Sequence, residues 1–225
     1  MRLLNSTRIF PHFHSLSAPC KTHTFVKSTE LIMTTSWVWI SIVLAVASTA
    51  YAQRPITVWL ESTRRTNWGD WAEEAICPEG TFVTGFRTKN QPDQGIFVDD
   101  TAMNAVELVC KGPEGPATYI KSGEALHGNW GTFYECLAPA RGTGFQMRAE
   151  GPTLDNTAAN NIALYCDGSR MEGNGNTWGD WTERLNCPTG TLLCGYKAQI
   201  AVQLPSAIDD TGLNNLDMAC CLESS

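Results

Sequence analysis

Five landmarks recur three times in one order along this chain, and no other feature narrows its possible folds so far. The first set is Trp68, Cys77, the pair Gly85-Phe86, the run DDTAMN from Asp99 to Asn104, and Cys110. The second is Trp130, Cys136, Gly144-Phe145, DNTAAN from Asp155 to Asn160, and Cys166. The third is Trp178, Cys187, Gly195-Tyr196, DDTGLN from Asp209 to Asn214, and Cys220. In each set the first Asp precedes the closing cysteine by 11 residues. The tryptophans lie in TNWGDW (Thr66 to Trp71), a weaker NWGTF (Asn129 to Phe133) and NTWGDW (Asn176 to Trp181). Repetition at this period marks one supersecondary unit built three times, with units of about 56–110, 111–166 and 167–222. A reaction needs one site, whereas a threefold fold needs every corner three times.

The segments before the closing cysteines show what the unit is made of. AVELVC, NIALYC and NLDMAC place Val106, Ile162 and Leu216, then Leu108, Leu164 and Met218, then the cysteines, at alternate positions. Period-two alternation predicts a half-buried strand with those residues facing the core. TFVTGF (Thr81 to Phe86) and TLLCGY (Thr191 to Tyr196) are rich in strand formers, and Gly and Pro interrupt the chain at short intervals. An all-β, antiparallel domain is expected. The alternation also proposes disulfides: Cys77 with Cys110, Cys136 with Cys166, Cys187 with Cys220 by equivalence, and Cys194 with Cys221, which points away from Cys220. A crossed pairing within the third unit is the alternative.

The leader reads differently. The apolar run WVWISIVLAVA (Trp37 to Ala47) followed by Ala50 and Ala52 predicts a secretory signal at 33–52. Residues 1–32 then read as an upstream extension outside the translated protein. The alternative is an uncleaved anchor with a tail carrying Arg2, Arg8, Lys21 and Lys27. From Gln53 on, 53–225 is expected to be a single domain in which the 16 basic and 23 acidic residues become 12 and 22, net charge −10. Such a surface opposes nucleic acid and anionic membranes, so neither is expected as a partner after signal cleavage. Only His127 remains of four histidines, which removes His-cluster metal sites. Eight cysteines behind a signal read as a disulfide framework in an extracellular protein, with no cofactor or metal expected.

Taken together, the repeated WG(D)W, GF and D-[DN]-T-x-x-N elements, the paired cysteines and the terminal Cys220-Cys221 resemble the vitelline membrane outer layer protein 1 family over Ile56 to Leu222. The resemblance implies a β-prism: three antiparallel Greek-key sheets about a pseudo-threefold axis, apolar faces inward. It also implies secretion. The founding member is a coat component of the bird egg, associated with an oligosaccharide transferase-like activity on N-acetylglucosamine oligomers. One departure, the segment CPTGTLLC ending at Cys194, bears on the pairing of that cysteine.

Two functions are carried forward. The first is a non-enzymatic protein of an extracellular coat, mucus or secretion that associates with glycans or glycoproteins. The second is a weak glycosyl-transferring or hydrolysing enzyme on N-acetylglucosamine oligomers. No GxSxG nucleophile motif is present. Adjacent Asp99 and Asp100 point to opposite faces of any strand, so the Asp-Thr-Asn runs read as turns. Trp68, Trp130 and Trp178 read as core or corner plugs, while Trp71 and Trp181 are candidate saccharide platforms, aromatic faces beside an aspartate. Function is sought where the units differ: the longer linker from Lys111 to Asn129, and residues without consistent counterparts. Glu135 and Glu150 are then the candidate catalytic carboxylates, and His127 and Arg148 candidate ligand contacts.

Overall fold

The alternating segments form the middle of three sheets. The structure is a computed structural model and describes residues 54–95, 101–152, 157–201 and 211–223. The leader and Asp99, Asp100, Asp155, Asp209 and Asp210 lie outside the described residues. Each unit contributes one long antiparallel hairpin. These are β4 (Phe82–Asn90) with β5 (Met103–Lys111), β9 (Gly142–Ala149) with β10 (Ala159–Cys166), and β14 (Thr191–Ile200) with β15 (Leu213–Leu222). We call these the first, second and third sheets.

The other strands are short, and they are exchanged. The first sheet takes β6 (Thr118–Ile120) beside β5, and β7 (Asn129–Trp130) and β8 (Tyr134–Glu135) beside β4. To the second sheet go β11 (Ser169–Glu172), β12 (Asp180–Trp181) and β13 (Leu185–Asn186). The third is completed by β1 (Val58–Glu61), β2 (Asp70–Trp71) and β3 (Ala75–Ile76), which begin the described chain. Sheets and sequence units are therefore not coterminous: each unit keeps its hairpin and lends its short strands to the preceding sheet. The first unit closes onto the third, so the arrangement is a ring.

The landmarks now have physical reasons. A Cβ at Gly85, Gly144 or Gly195 would lie 2.4, 2.4 and 2.5 Å from the carbonyl oxygens of Tyr134, Leu185 and Ala75. Only glycine lets the lent arm approach so closely. The disulfides follow from the exchange as well. Cys77 trails β3 on the third sheet while Cys110 lies in β5 of the first, and Cys136–Cys166 and Cys187–Cys220 likewise bridge successive sheets. Cys194–Cys221 instead joins β14 to β15 within the third sheet, at the bulge between Leu193 and Gly195. The alternation-based pairing holds and the crossed one does not. Closing loops of about 30 residues stabilises by roughly 3 kcal/mol or more each in the chain-entropy account.

Phe86, Phe145 and Tyr196 point inward with Val106, Leu108, Ile162, Leu164, Leu216 and Met218, all fully buried in one core. Gly142 meets Val83 and Leu193, which occupy the same strand position in the other two sheets, so the long strands run side by side along the prism. One expectation fails here. The central strands are not half-buried: outward-pointing Asn161, Asn215, Asp217 and Ala219 are covered as well. Arginine, lysine and tryptophan side chains lie across the outer faces, and their long stems exclude water as apolar residues would.

The Thr-x-x-Asn part of each run leads into a long strand, and its Thr and Asn side chains form the local hydrogen-bond network expected of them. The Asn104 amide donates to Thr101 Oγ1 at 2.7 Å and to the Ala102 carbonyl at 3.1 Å, holding Ala102 at φ +48°. Asn214 bonds Thr211 at 2.8 Å, and Asn160 and Thr157 are joined at 2.9 Å.

Candidate functional site

Strand register corrects the alignment of the second unit. Trp71 faces Gln199 and Trp181 faces Arg148, and the residue at that place on the first sheet is Trp130, facing Lys89. Trp130 is thus the counterpart of Trp71 and Trp181, not of Trp68 and Trp178, whose place is held by His127. The positive-φ glycines agree: Gly69, Gly128 and Gly179 align, not Gly131. The signal was in the sequence, since each of these tryptophans precedes its cysteine by six residues. Nor are the other tryptophans core plugs. Trp68 is 42% exposed and Trp178 half-buried, because the arms run over the outside of the sheets and not between them.

Each arm tryptophan is clasped by cations. Arg64 and Lys197 lie 4.8 and 5.0 Å from the Trp71 ring, Arg87 4.7 Å from Trp130, and Arg170 4.4 Å from Trp181. Such contacts fix the ring and cover the sheet beneath.

The remaining candidates scatter. Arg148 has counterparts after all: its Nε donates to the Trp178 and Gly179 carbonyls at 3.2 and 3.0 Å. Lys89 does the same for Ala125 and Leu126, and Gln199 for Gly69. All three clip the loop that leads into an arm. Glu150 accepts from Thr157 at 2.9 Å, and Gln91 bonds Thr101 from the matching position. Glu135, opposite Gly85, pairs with Lys111 and lines a small cleft of about 200 Å³ with Leu137 and Met171. Gly144 matches Gly85, and Glu150 lies six residues beyond it, so Glu135 and Glu150 stand roughly 20 Å apart along the strands. A glycosidase pair needs about 5 to 9.5 Å. The structure does not bring these carboxylates together. His127 is exposed on the loop before β7.

A larger cleft, about 430 Å³, opens at the other end of the strands. Asp70, Trp71 and Ala72 of the first arm form one wall, and Glu124, Ala125 and Leu126 of the long linker the other, over Ile200 and Ala201. Trp71 is 39% exposed there and Leu126 76%. Hydrogen bonds from Lys121 and from Lys89, the latter at 2.8 Å, hold the Glu124 carboxyl below the usual range, so it stays ionised.

The linker is fastened before it reaches the cleft. Ser122 N–H donates to the Tyr196 hydroxyl at 2.9 Å, which itself donates to the Val106 carbonyl, and Ser122 Oγ accepts from Ala198 N–H at 3.0 Å. Burial raises the Tyr196 phenol far above its ordinary pKa, so it remains a neutral donor. A Cβ on Gly123 would lie 2.9 Å from side-chain atoms of Ala72 and Ile200. Linker and arm are thus in direct contact. From the sequence, Asp70 entered only as the aspartate beside Trp71, and Glu124 and Leu126 only as members of the long linker from Lys111 to Asn129; Tyr196, standing where the other units carry phenylalanine, was the signal left unused.

Residues 58–223 match the family model described as vitelline membrane outer layer protein I. The vitelline membrane outer layer protein 1 homolog of Homo sapiens is 40% identical over 176 residues, covering 73% of this chain and 83% of that protein. Among solved structures, single-chain recombinant jacalin superposes with a TM-score of 0.52 at 11% identity, covering 76% of this chain and 99% of jacalin. The Calsepa lectin in complex with a biantennary N-glycan gives 0.50 at 12%, covering 75% and 98%. At such identity these two speak for the fold, a β-prism of three antiparallel sheets. Sequence match, ring of sheets and interlocking disulfides converge: the chain belongs to the vitelline membrane outer layer protein I family.

Proposed function

We propose that the chain is a secreted interaction protein of an extracellular coat, mucus or secretion, associating with glycans or glycoproteins, and that the Trp71 cleft receives the saccharide. The observation that carries this reading is an exposed tryptophan ring set beside two carboxylates, Asp70 and ionised Glu124, in a cleft walled by the linker peculiar to the second unit. A pyranose presents an apolar face that stacks on indole and hydroxyls that donate to carboxylates. The Calsepa lectin, of like fold, was solved with an N-glycan, which supports a saccharide as the ligand class. Four disulfides suit an oxidising compartment, and the apolar run Trp37 to Ala47 followed by Ala50 and Ala52 supports the reading of 33–52 as the matching export signal. Enzymatic glycosyl transfer through Glu135 and Glu150 draws no support from their separation.

A glycan array probed with the secreted chain, followed by calorimetry on the best neutral oligosaccharide, tests the proposal. Trp71→Ala should weaken binding about three- to tenfold, the worth of one aromatic contact. Trp130→Ala, at the matching position on the first sheet, should leave it unchanged. An array without signal, or equal losses in both variants, would refute this site.

A further inference from the structure

The outer faces of the three sheets share the clasped tryptophan but not the charge around it. On the third sheet, buried Asp217 binds both cations over Trp71, Arg64 at 2.6 Å and Lys197 at 3.7 Å. On the first, Glu107 holds Arg87 at 2.6 Å and Glu124 pairs with Lys121. Asp217 and Glu107 occupy the same place in the register, opposite Lys197 and Arg87; on the second sheet that place, opposite Gln146, is taken by Ala163. The acid is missing, yet the cations are not. Arg170 and Arg148 lie over the Trp181 ring at 4.4 and 5.9 Å, and Arg184 lies over Tyr165 at 3.7 Å.

Among the described residues, the partners of these arginines are mostly neutral. Arg148 bonds two backbone carbonyls, and Arg184 Nε bonds the neutral Asn186 Oδ1 at 2.6 Å. Glu172, bonded to Arg170 at 2.5 Å, is the one carboxylate in an ion pair with these three arginines among the described residues. Among the described residues, three guanidiniums thus share one ion-paired acid, on a chain whose net charge is −7. Stacking occupies the flat faces of a guanidinium and leaves its N–H edges free in the plane, where they match an oxyanion bidentately.

We propose that the outer face of the second sheet is a binding site for a sulfated saccharide, with Arg170 and Arg184 as its principal anion contacts. Sulfate is favoured over a single terminal carboxylate because the guanidiniums stand on two different aromatic platforms. A chain bearing several sulfates can engage them together, whereas one carboxylate reaches one. This site is separate from the Trp71 cleft and does not depend on it.

The test is calorimetry of the secreted chain at low ionic strength with three probes: a heparin-derived tetrasaccharide, the same tetrasaccharide with its sulfates replaced by N-acetyl and hydroxyl groups, and a hyaluronan tetrasaccharide, which bears carboxylates alone. The sulfated probe should bind, and the other two should bind at least about tenfold more weakly, the scale of one charge-assisted hydrogen bond. Arg170→Gln with Arg184→Gln should lower affinity for the sulfated probe about tenfold or more, while Trp71→Ala should not change it. Should the double variant fail to fold, Arg170→Gln alone, an exposed residue, should still give about a threefold loss. Absence of binding, equal binding of the desulfated or hyaluronan probe, or undiminished binding in the variants would overturn the assignment. Because Trp71→Ala is silent here and decisive for the cleft, the two readings can fail separately.

Discussion

Inward positions such as Phe86, Phe145 and Tyr196, or Leu108, Leu164 and Met218, carry residues of similar bulk in all three sheets, and each is fully buried. One residue before the latter set, the outward position holds Glu107, Ala163 and Asp217, an acid on two sheets and a methyl group on the other. A close-packed interior responds to a single methylene, so three faces meeting on one axis constrain each other to near-copies. The outer faces do not touch one another and are free to differ. Repetition therefore reports on folding and divergence on recognition, in one molecule and a few ångströms apart.

The inner half of this comparison is the easiest to break. Phe145→Ala removes a fully buried ring from the axis and should cost about 3 to 5 kcal/mol, measured as the shift in a urea unfolding midpoint. The same change at Phe86 should cost a similar amount. A loss below about 1 kcal/mol at either would mean that the sheets do not depend on one another for packing.

Tyr196 is where the inner symmetry is deliberately imperfect, and it sharpens the contrast. Tyr196→Phe restores the threefold pattern yet strands the Ser122 N–H and the Val106 carbonyl, so roughly 1 to 3 kcal/mol of destabilisation is expected. Faster hydrogen exchange at the Ser122 amide should accompany it. A variant as stable as the parent would show that the linker is held by other contacts.

How much of this was legible beforehand depends on whether the cause was local. Strand identity, the turn chemistry of Thr101 and Asn104, and the disulfide partners follow from alternation and spacing, which are properties of neighbouring residues. The exchange of β1 to β3 into the third unit's sheet is not local: Gly85 and Gly195 record that something comes close, without saying which arm. The cleft was hidden for the same reason, since Asp70 and Glu124 lie far apart in the chain and meet only because the ring closes. Arg148 and Glu150 were misjudged because their counterparts, Lys89 with Gln199 and Gln91, do the same hydrogen bonding with different residue types. Comparing letters misses such equivalence; comparing donors and acceptors at matched register finds it.

The turns give a finer grading. Thr101 and Thr157 each bond both an asparagine and a second side chain, Gln91 or Glu150, whereas Thr211 is bonded by Asn214 and has Ala201 at the matching place. Thr101→Ala and Thr157→Ala should each destabilise by about 1 to 2 kcal/mol, and Thr211→Ala by nearer 1 kcal/mol. Chemical denaturation of the three variants would detect the difference. A reversed order would indicate that position 91 or 150 contributes nothing to its turn.

The smallest expected effect also decides most about chemistry. Glu150→Gln should change stability by less than about 0.5 kcal/mol, because Gln91 already shows that an amide serves at the matching position beside the equivalent threonine, Thr101. Glu135→Gln removes an exposed ion pair with Lys111, worth about 0 to 1 kcal/mol. Both variants keep shape while abolishing acid–base function, so they separate fold from catalysis cleanly. Incubating the parent and each variant with chitin oligomers and following chain length by mass spectrometry should show no catalytic redistribution in any of the three. Two carboxylates roughly 20 Å apart along the strands cannot flank one glycosidic bond. Redistribution by the parent that vanished in either variant would overturn that geometric argument and make the outward residue concerned part of an enzyme. Redistribution that persisted in both would move the search to Asp70 and Glu124, the carboxylates that the ring closure sets on opposite walls of one cleft.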